Sequence, residues 1–126
     1  MRLLMMLRIV LVSNVLTMLL QASFAGRMLG GDDRSANFHE FTAKVLVLLT
    51  VSQIVLAVLL RLRKGCPIWV PVASGVLLAA EVLEFALGHF HSVALHVPLG
   101  LAIFGGAIRQ LLWAVREARP SSELHV

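Results

Sequence analysis

Four apolar runs, each close to the length of a bilayer-crossing helix, constrain this chain more than any other feature. They fall at about 5–25, 40–60, 68–88 and 96–116, and a spanning helix needs about 20 mostly apolar residues. Polar stretches separate them, from Gly26 to Phe38, from Arg61 to Pro67 and from His89 to Leu95. Hydrophobic residues fill 59% of the 126 positions and charged residues 14%, against roughly 25% charged in an average soluble domain. The expected fold is all-α: a four-helix transmembrane bundle, up-down-up-down, over residues 1–118, with 119–126 as a polar tail.

The cations orient it. Arg2, Arg8, Arg61, Arg63, Lys64, Arg109, Arg116 and Arg119 fall at one end of the spans; Arg27, Arg34 and Lys44 fall at the other. Cytoplasmic loops carry the excess of Lys and Arg. Both termini are therefore expected in the cytoplasm, in a multi-pass protein of the inner (plasma) membrane. The pI of about 10.7 comes with few charges and no basic patch interleaved with aromatics, so the expected partner is the lipid bilayer and not nucleic acid. The single cysteine, Cys66, cannot form an internal disulfide. The first run also reads as a secretory signal, with Ala22-Ser23-Phe24-Ala25 as a small-residue cleavage site. Its length, and Asn14, Thr17 and Gln21 on one helical face, favour a retained span with polar contacts to its neighbours.

The second and fourth runs share a pattern. His39, Ala43, Leu46, Thr50 and Gln53 step by four, three, four and three; so do His96, Gly100, Ile103, Ala107 and Gln110. Both series lie on one stripe of a helix, which suggests two related hairpins. His39 and His96 begin helices expected to run in the same direction, so they share a depth at the outer end. Each has a small residue one turn inward, and Pro98 falls in the expected first turn of the fourth helix, where its missing N–H is not needed. Facing helices of a bundle can hold a cofactor in this way, and haem iron accepts one or two such axial ligands. A haem between His39 and His96 is the expected centre, with Ala43 and Gly100 beside it.

Other titratable groups gather at the same end. Glu84 could accept the free N–H of a ligating imidazole, and His89 or His91 could contact haem propionates or exchange protons. Glu81 and Glu84 lie inside the third run, where acidic residues are functional candidates; either could instead hydrogen-bond Gln21, Thr50 or Gln53 with no chemistry. His89, His91 and His96 form a loose H-x-H-x4-H spacing that Zn or Cu would accept. Glu40 and Lys44 can pair across one turn. Ala22/Gly26, Gly75/Ala79 and Gly105/Gly106 offer small-residue ridges for close helix approach.

Phe38-His39-Glu40 and Leu95-His96-Val97-Pro98-Leu99-Gly100 resemble the histidine-bearing helix starts of small bacterial four-span proteins and, more distantly, one half of the haem A synthase fold. That fold has two four-helix halves, each with a histidine at the outer end of its second and fourth helices. The resemblance covers roughly Ile9 to Val115. The synthase's catalytic half carries Glu-x-x-His-Arg; here Ala36 stands three before His39, and Glu40 follows it. What remains resembles the cofactor half, so the resemblance implies haem b without haem A synthesis. Half of an eight-helix fold could pair as a homodimer.

The expected function is that of a b-type cytochrome with one bis-histidine haem near the outer face, carrying electrons for quinol or a respiratory partner. The alternatives are a cofactor-free accessory or assembly subunit of a membrane complex, and a metal- or proton-handling protein using His89, His91 and His96. No soluble-enzyme motif is present, neither G-x-S-x-G, nor a phosphate loop, nor CxxC.

Overall fold

A computed structural model describes residues 1–117. The expected tail, 119–126, and His125 within it lie outside the described residues. Four helices account for nearly all of the rest: α1 (Arg2–Leu29), α2 (Arg34–Leu62), α3 (Trp69–His89) and α4 (Val93–Arg116). Each is long and apolar enough to cross a membrane. The shortest has 21 residues, about 31 Å at 1.5 Å per residue, which matches a hydrocarbon core of about 30 Å.

The helices outrun the apolar runs that announce them. The polar stretch expected between the first two spans reduces to a four-residue turn, because Arg27 and Arg34 both sit in regular helix. Hydropathy falls off before the backbone stops being helical. The fourth helix starts at Val93, so Pro98 is its sixth residue and not part of its first turn. Proline has no N–H to give the carbonyl four residues back, so Ala94 O lacks its helical donor.

All three turns are built alike. Gly31, Lys64 and His91 take positive φ, at 93°, 55° and 58°. In each case the next residue's N–H returns to a carbonyl five residues earlier: Asp32 to Arg27, Gly65 to Leu60, Ser92 to Leu87. This is the Schellman closure, which favours glycine at the left-handed position. Two of the three positions lack it. In the first turn Asp32 adds a clasp, accepting from the Arg27 guanidinium at 2.6 Å and the Ser35 hydroxyl at 3.0 Å. The hydrogen bonds from Arg27 and then Ser35 hold the Asp32 carboxyl below the usual carboxylate range.

Each helix packs on two neighbours, in the ring α1–α2–α3–α4 and back to α1. Two apolar layers fill the interior. Leu7, Leu11, Ala57, Leu60, Cys66, Val70 and Ala114 form one; Val15, Met18, Leu46, Leu77, Ile103 and Ala107 form the other. Between them lies a polar layer with one residue from each helix. Asn14 Nδ2 donates to Gln53 Oε1 at 2.8 Å, and Gln53 Nε2 donates to Ser74 Oγ at 2.9 Å and Gln110 Oε1 at 3.0 Å. Ser74 Oγ lies 2.9 Å from Gln110 Oε1 as well. The outer surface is the reverse, with Leu16, Leu48, Val55, Leu83 and Leu101 exposed. An apolar rim around a bonded polar centre suits a helix bundle in lipid. Gly75, Ala79 and Gly105 face outward. Gly106 faces Leu77 inside the bundle, so that half of the Gly105/Gly106 ridge is already used.

Candidate functional site

The inward stripes read from the sequence are buried as expected: Leu46, Thr50 and Gln53 on α2, and Ile103, Ala107 and Gln110 on α4. Followed toward the helix starts, both stripes arrive at a histidine. The His39 and His96 rings face each other across the bundle, with centroids 6.3 Å apart and planes inclined by 59°.

Each ring is held by one nitrogen. His96 Nδ1 lies 3.0 Å from the Glu84 carbonyl and 3.3 Å from Glu84 Oε1. Both neighbours are acceptors, so Nδ1 carries a proton, and in the neutral ring Nε2 then presents a lone pair. His39 Nδ1 lies 3.1 Å from the Gln21 carbonyl of α1. The Gln21 side-chain amide fills its own bonds best with its nitrogen 2.7 Å from that same Nδ1 and 2.9 Å from Thr42 Oγ1. The carbonyl suits a protonated Nδ1 and the amide nitrogen an unprotonated one, so the amide orientation and the His39 tautomer change together.

Glycines make room for these groups. A Cβ on Gly88 would stand 3.2 Å from His96 Cε1, and one on Gly100 would stand 2.9 Å from Glu84 Oε1. Glu84 and Gly88 are one turn apart on α3, as are His96 and Gly100 on α4. The two helices therefore interlock, each placing its polar side chain over the other's glycine. The clearance beneath His96 that Gly100 provides is occupied by the Glu84 carboxyl.

The remaining groups divide between core and surface. Glu81 is buried and accepts from the Thr50 hydroxyl at 2.7 Å, one of the bonds open to it from the sequence. Glu40 and Lys44 pair at 2.7 Å. Ala43, one turn in from His39, lines an apolar groove of about 440 Å³ between α2 and α3, with Lys44, Val47, Leu48, Val82 and Phe85. His89 is exposed at the end of α3 with its ring edge-on to Phe90, and His91 is exposed in the turn. Among the described residues no three His, Cys, Asp or Glu side chains converge to hold a metal, so His89, His91 and His96 do not form a joint site.

No family model, curated protein or solved structure matches this chain.

The ring separation is close to that of two imidazoles sharing one metal. A metal about 2 Å from a nitrogen of each ring puts the ring centres about 6 Å apart. The Nδ1 contacts provide the outer support that ligating histidines carry. Of the groups that seat the rings, Gln21 and Glu84 are visible in the sequence as polar residues inside apolar runs, whereas the contact of Gly88 with His96 is defined by a partner on another helix and gives no signal.

Proposed function

We propose that this chain is a multi-pass protein of the bacterial inner (plasma) membrane that binds one haem b between His39 and His96 near the outer face. It carries electrons for quinol, as their donor, or for a respiratory partner. The helices run up-down-up-down, with both termini in the cytoplasm. The excess of eight cations over three at the end bearing Arg61, Arg63 and Lys64 supports that orientation.

One observation carries the cofactor: the 6.3 Å separation of the two rings. Neutral His96, with its proton on Nδ1, has Nε2 free to ligate. Haem supplies one-electron redox chemistry when bound. The chain's own residues hold and orient. Ligation through Nε2 of His39 calls for the proton on Nδ1, donated to the Gln21 carbonyl, and so for the Gln21 amide turned with its oxygen and not its nitrogen toward Nδ1. His96 Nδ1–H donates to the Glu84 carbonyl, with the Glu84 carboxyl 3.3 Å from the same nitrogen. Ala43 and its groove offer an apolar wall, Lys44 a cation at its mouth, and His89 an exposed imidazole at the same end.

The test is the absorption spectrum of the protein purified in detergent, oxidised and reduced. A low-spin, six-coordinate haem b spectrum is expected. His39→Ala and His96→Ala should each abolish it or convert it to a five-coordinate form; His91→Ala should change it little and His125→Ala not at all. If the native protein takes up no haem when haem is plentiful, or both ligand variants keep the native spectrum, the accessory-subunit reading replaces this one.

A further inference from the structure

At the opposite end of α3 and α4 lies a second groove, of about 440 Å³, lined by Trp69, Gly105, Ile108, Arg109, Trp113 and Arg116, with Leu112 at its edge. The Trp69 and Trp113 rings meet edge to face, with centroids 5.7 Å apart and planes at 78°. The Arg109 guanidinium lies over Trp69, 5.0 Å from the ring centre. A cation stacked in this way is fixed in place while the edges of its planar fork stay open to donate. Gly105 leaves the floor open, since a Cβ there would meet nothing within 4 Å.

Two cations in one groove call for an anion. Among the described residues neither Arg109 nor Arg116 pairs with a carboxylate; the Arg and Lys ion pairs are those of Arg27 and Lys44. Arg109 sits two turns, about 10 Å, further into α4 than Arg116, its final residue. An arginine at that depth in a spanning helix is costly unless it reaches a counter-charge. Tryptophans mark the level of lipid headgroups, and basic pockets between spanning helices take anionic ones. A second copy of this chain would bring its own Arg109 and Arg116 against these in a two-fold contact, which like charge opposes.

We infer that this groove binds an anionic phospholipid, its phosphate held by Arg109 and Arg116 and its glycerol end lying against Trp69 and Trp113. The inference rests on the chain crossing a membrane and is independent of haem.

Native mass spectrometry of the full chain in detergent tests it, with added phosphatidylglycerol and phosphatidylcholine of identical acyl chains. The native protein should retain phosphatidylglycerol in preference to phosphatidylcholine. Arg109→Gln with Arg116→Gln should lower that retention roughly tenfold. Gly105→Leu should lower it comparably while keeping both cations, because the side chain fills the open floor. Arg63→Gln removes a cation at the same end but outside the groove and should leave retention unchanged. Helical content by circular dichroism, equal to the native value, identifies variants that fold. Equal retention of the two lipids by the native protein overturns the inference. So does native retention by folded Gly105→Leu, which would mean diffuse charge and not a built site. So does a dimer that dissociates in the double arginine variant while phosphatidylglycerol retention is unchanged.

Discussion

Gly88 and Gly100 look equivalent in the sequence, each one turn from a titratable residue, yet they make different demands. A methyl at Gly88 meets an imidazole ring, with the nearest carbon at 3.2 Å, and that ring is held from the other side by Glu84. A methyl at Gly100 meets the far end of a flexible carboxyl side chain, which can swing aside. Gly88→Ala should weaken haem retention by roughly tenfold, the scale of outer-support losses around ligating histidines. Gly100→Ala should cost only a few-fold, because the Glu84 carbonyl still accepts from His96. Haem titration of the two purified variants makes the comparison, and the reverse order would show that the carboxyl and not the carbonyl seats the ring. The sequence displayed His39 and His96, because their spacing to the buried stripe follows one helix. It offered Glu84 as a partner for an imidazole but hid which histidine it serves and the part of Gly88, because these are contacts between helices. It also hid the left-handed turn residues Lys64 and His91, where the glycine that signals such a position is missing.

At the scale of the element, the 3.6-residue period made the buried faces of α2 and α4 legible down to Gln53 and Gln110. Helix ends were the weak point. Arg27 and Arg34 extend helices past the apolar runs, and Pro98 lies well inside α4. The polar layer tests how much the helices depend on one another. Gln53 alone touches members on all three other helices. Replacing it with alanine removes three interhelical hydrogen bonds, each worth about 0.6 kcal/mol on average in a membrane protein. It also leaves Asn14 and Gln110 short of partners. Gln53→Ala should therefore lower unfolding stability in detergent by about 2 kcal/mol. Ser52→Ala, whose hydroxyl bonds only the Leu48 carbonyl of its own helix at an exposed site, should change it by less than about 0.5 kcal/mol. A similar loss in both would mean that the layer does not join the helices.

For the whole molecule, the structure decides how the proposed orientation can be read. Cys66 is a poor reporter: it is 6% exposed, its Sγ faces the Ala57 carbonyl, and burial pushes its thiol up from the ordinary value. It would escape labelling from either side. Gly31 is no better, because a cysteine there would inherit a φ of 93°. Asp33 and Arg63 are exposed, with ordinary backbone, at opposite ends of the bundle. With Cys66→Ala as background, a membrane-impermeant maleimide should label Asp33→Cys in intact cells, and Arg63→Cys only after permeabilisation. The opposite pattern would invert the molecule and put the histidine pair on the cytoplasmic side.

The polar layer also bears on the order in which such a chain is made. The membrane-length core of α4 is the least apolar of the four, and of these helices it leaves the ribosome last. By then Asn14, Gln53 and Ser74 can already bond one another, since their contacts need only α1, α2 and α3. Gln110 has no such company within its own helix; its carbonyl oxygen finds both of its donors, Gln53 and Ser74, on segments synthesised earlier. The first three helices thus act as an internal template for the newest segment, offering a docking point for the one span least suited to dissolving in lipid alone.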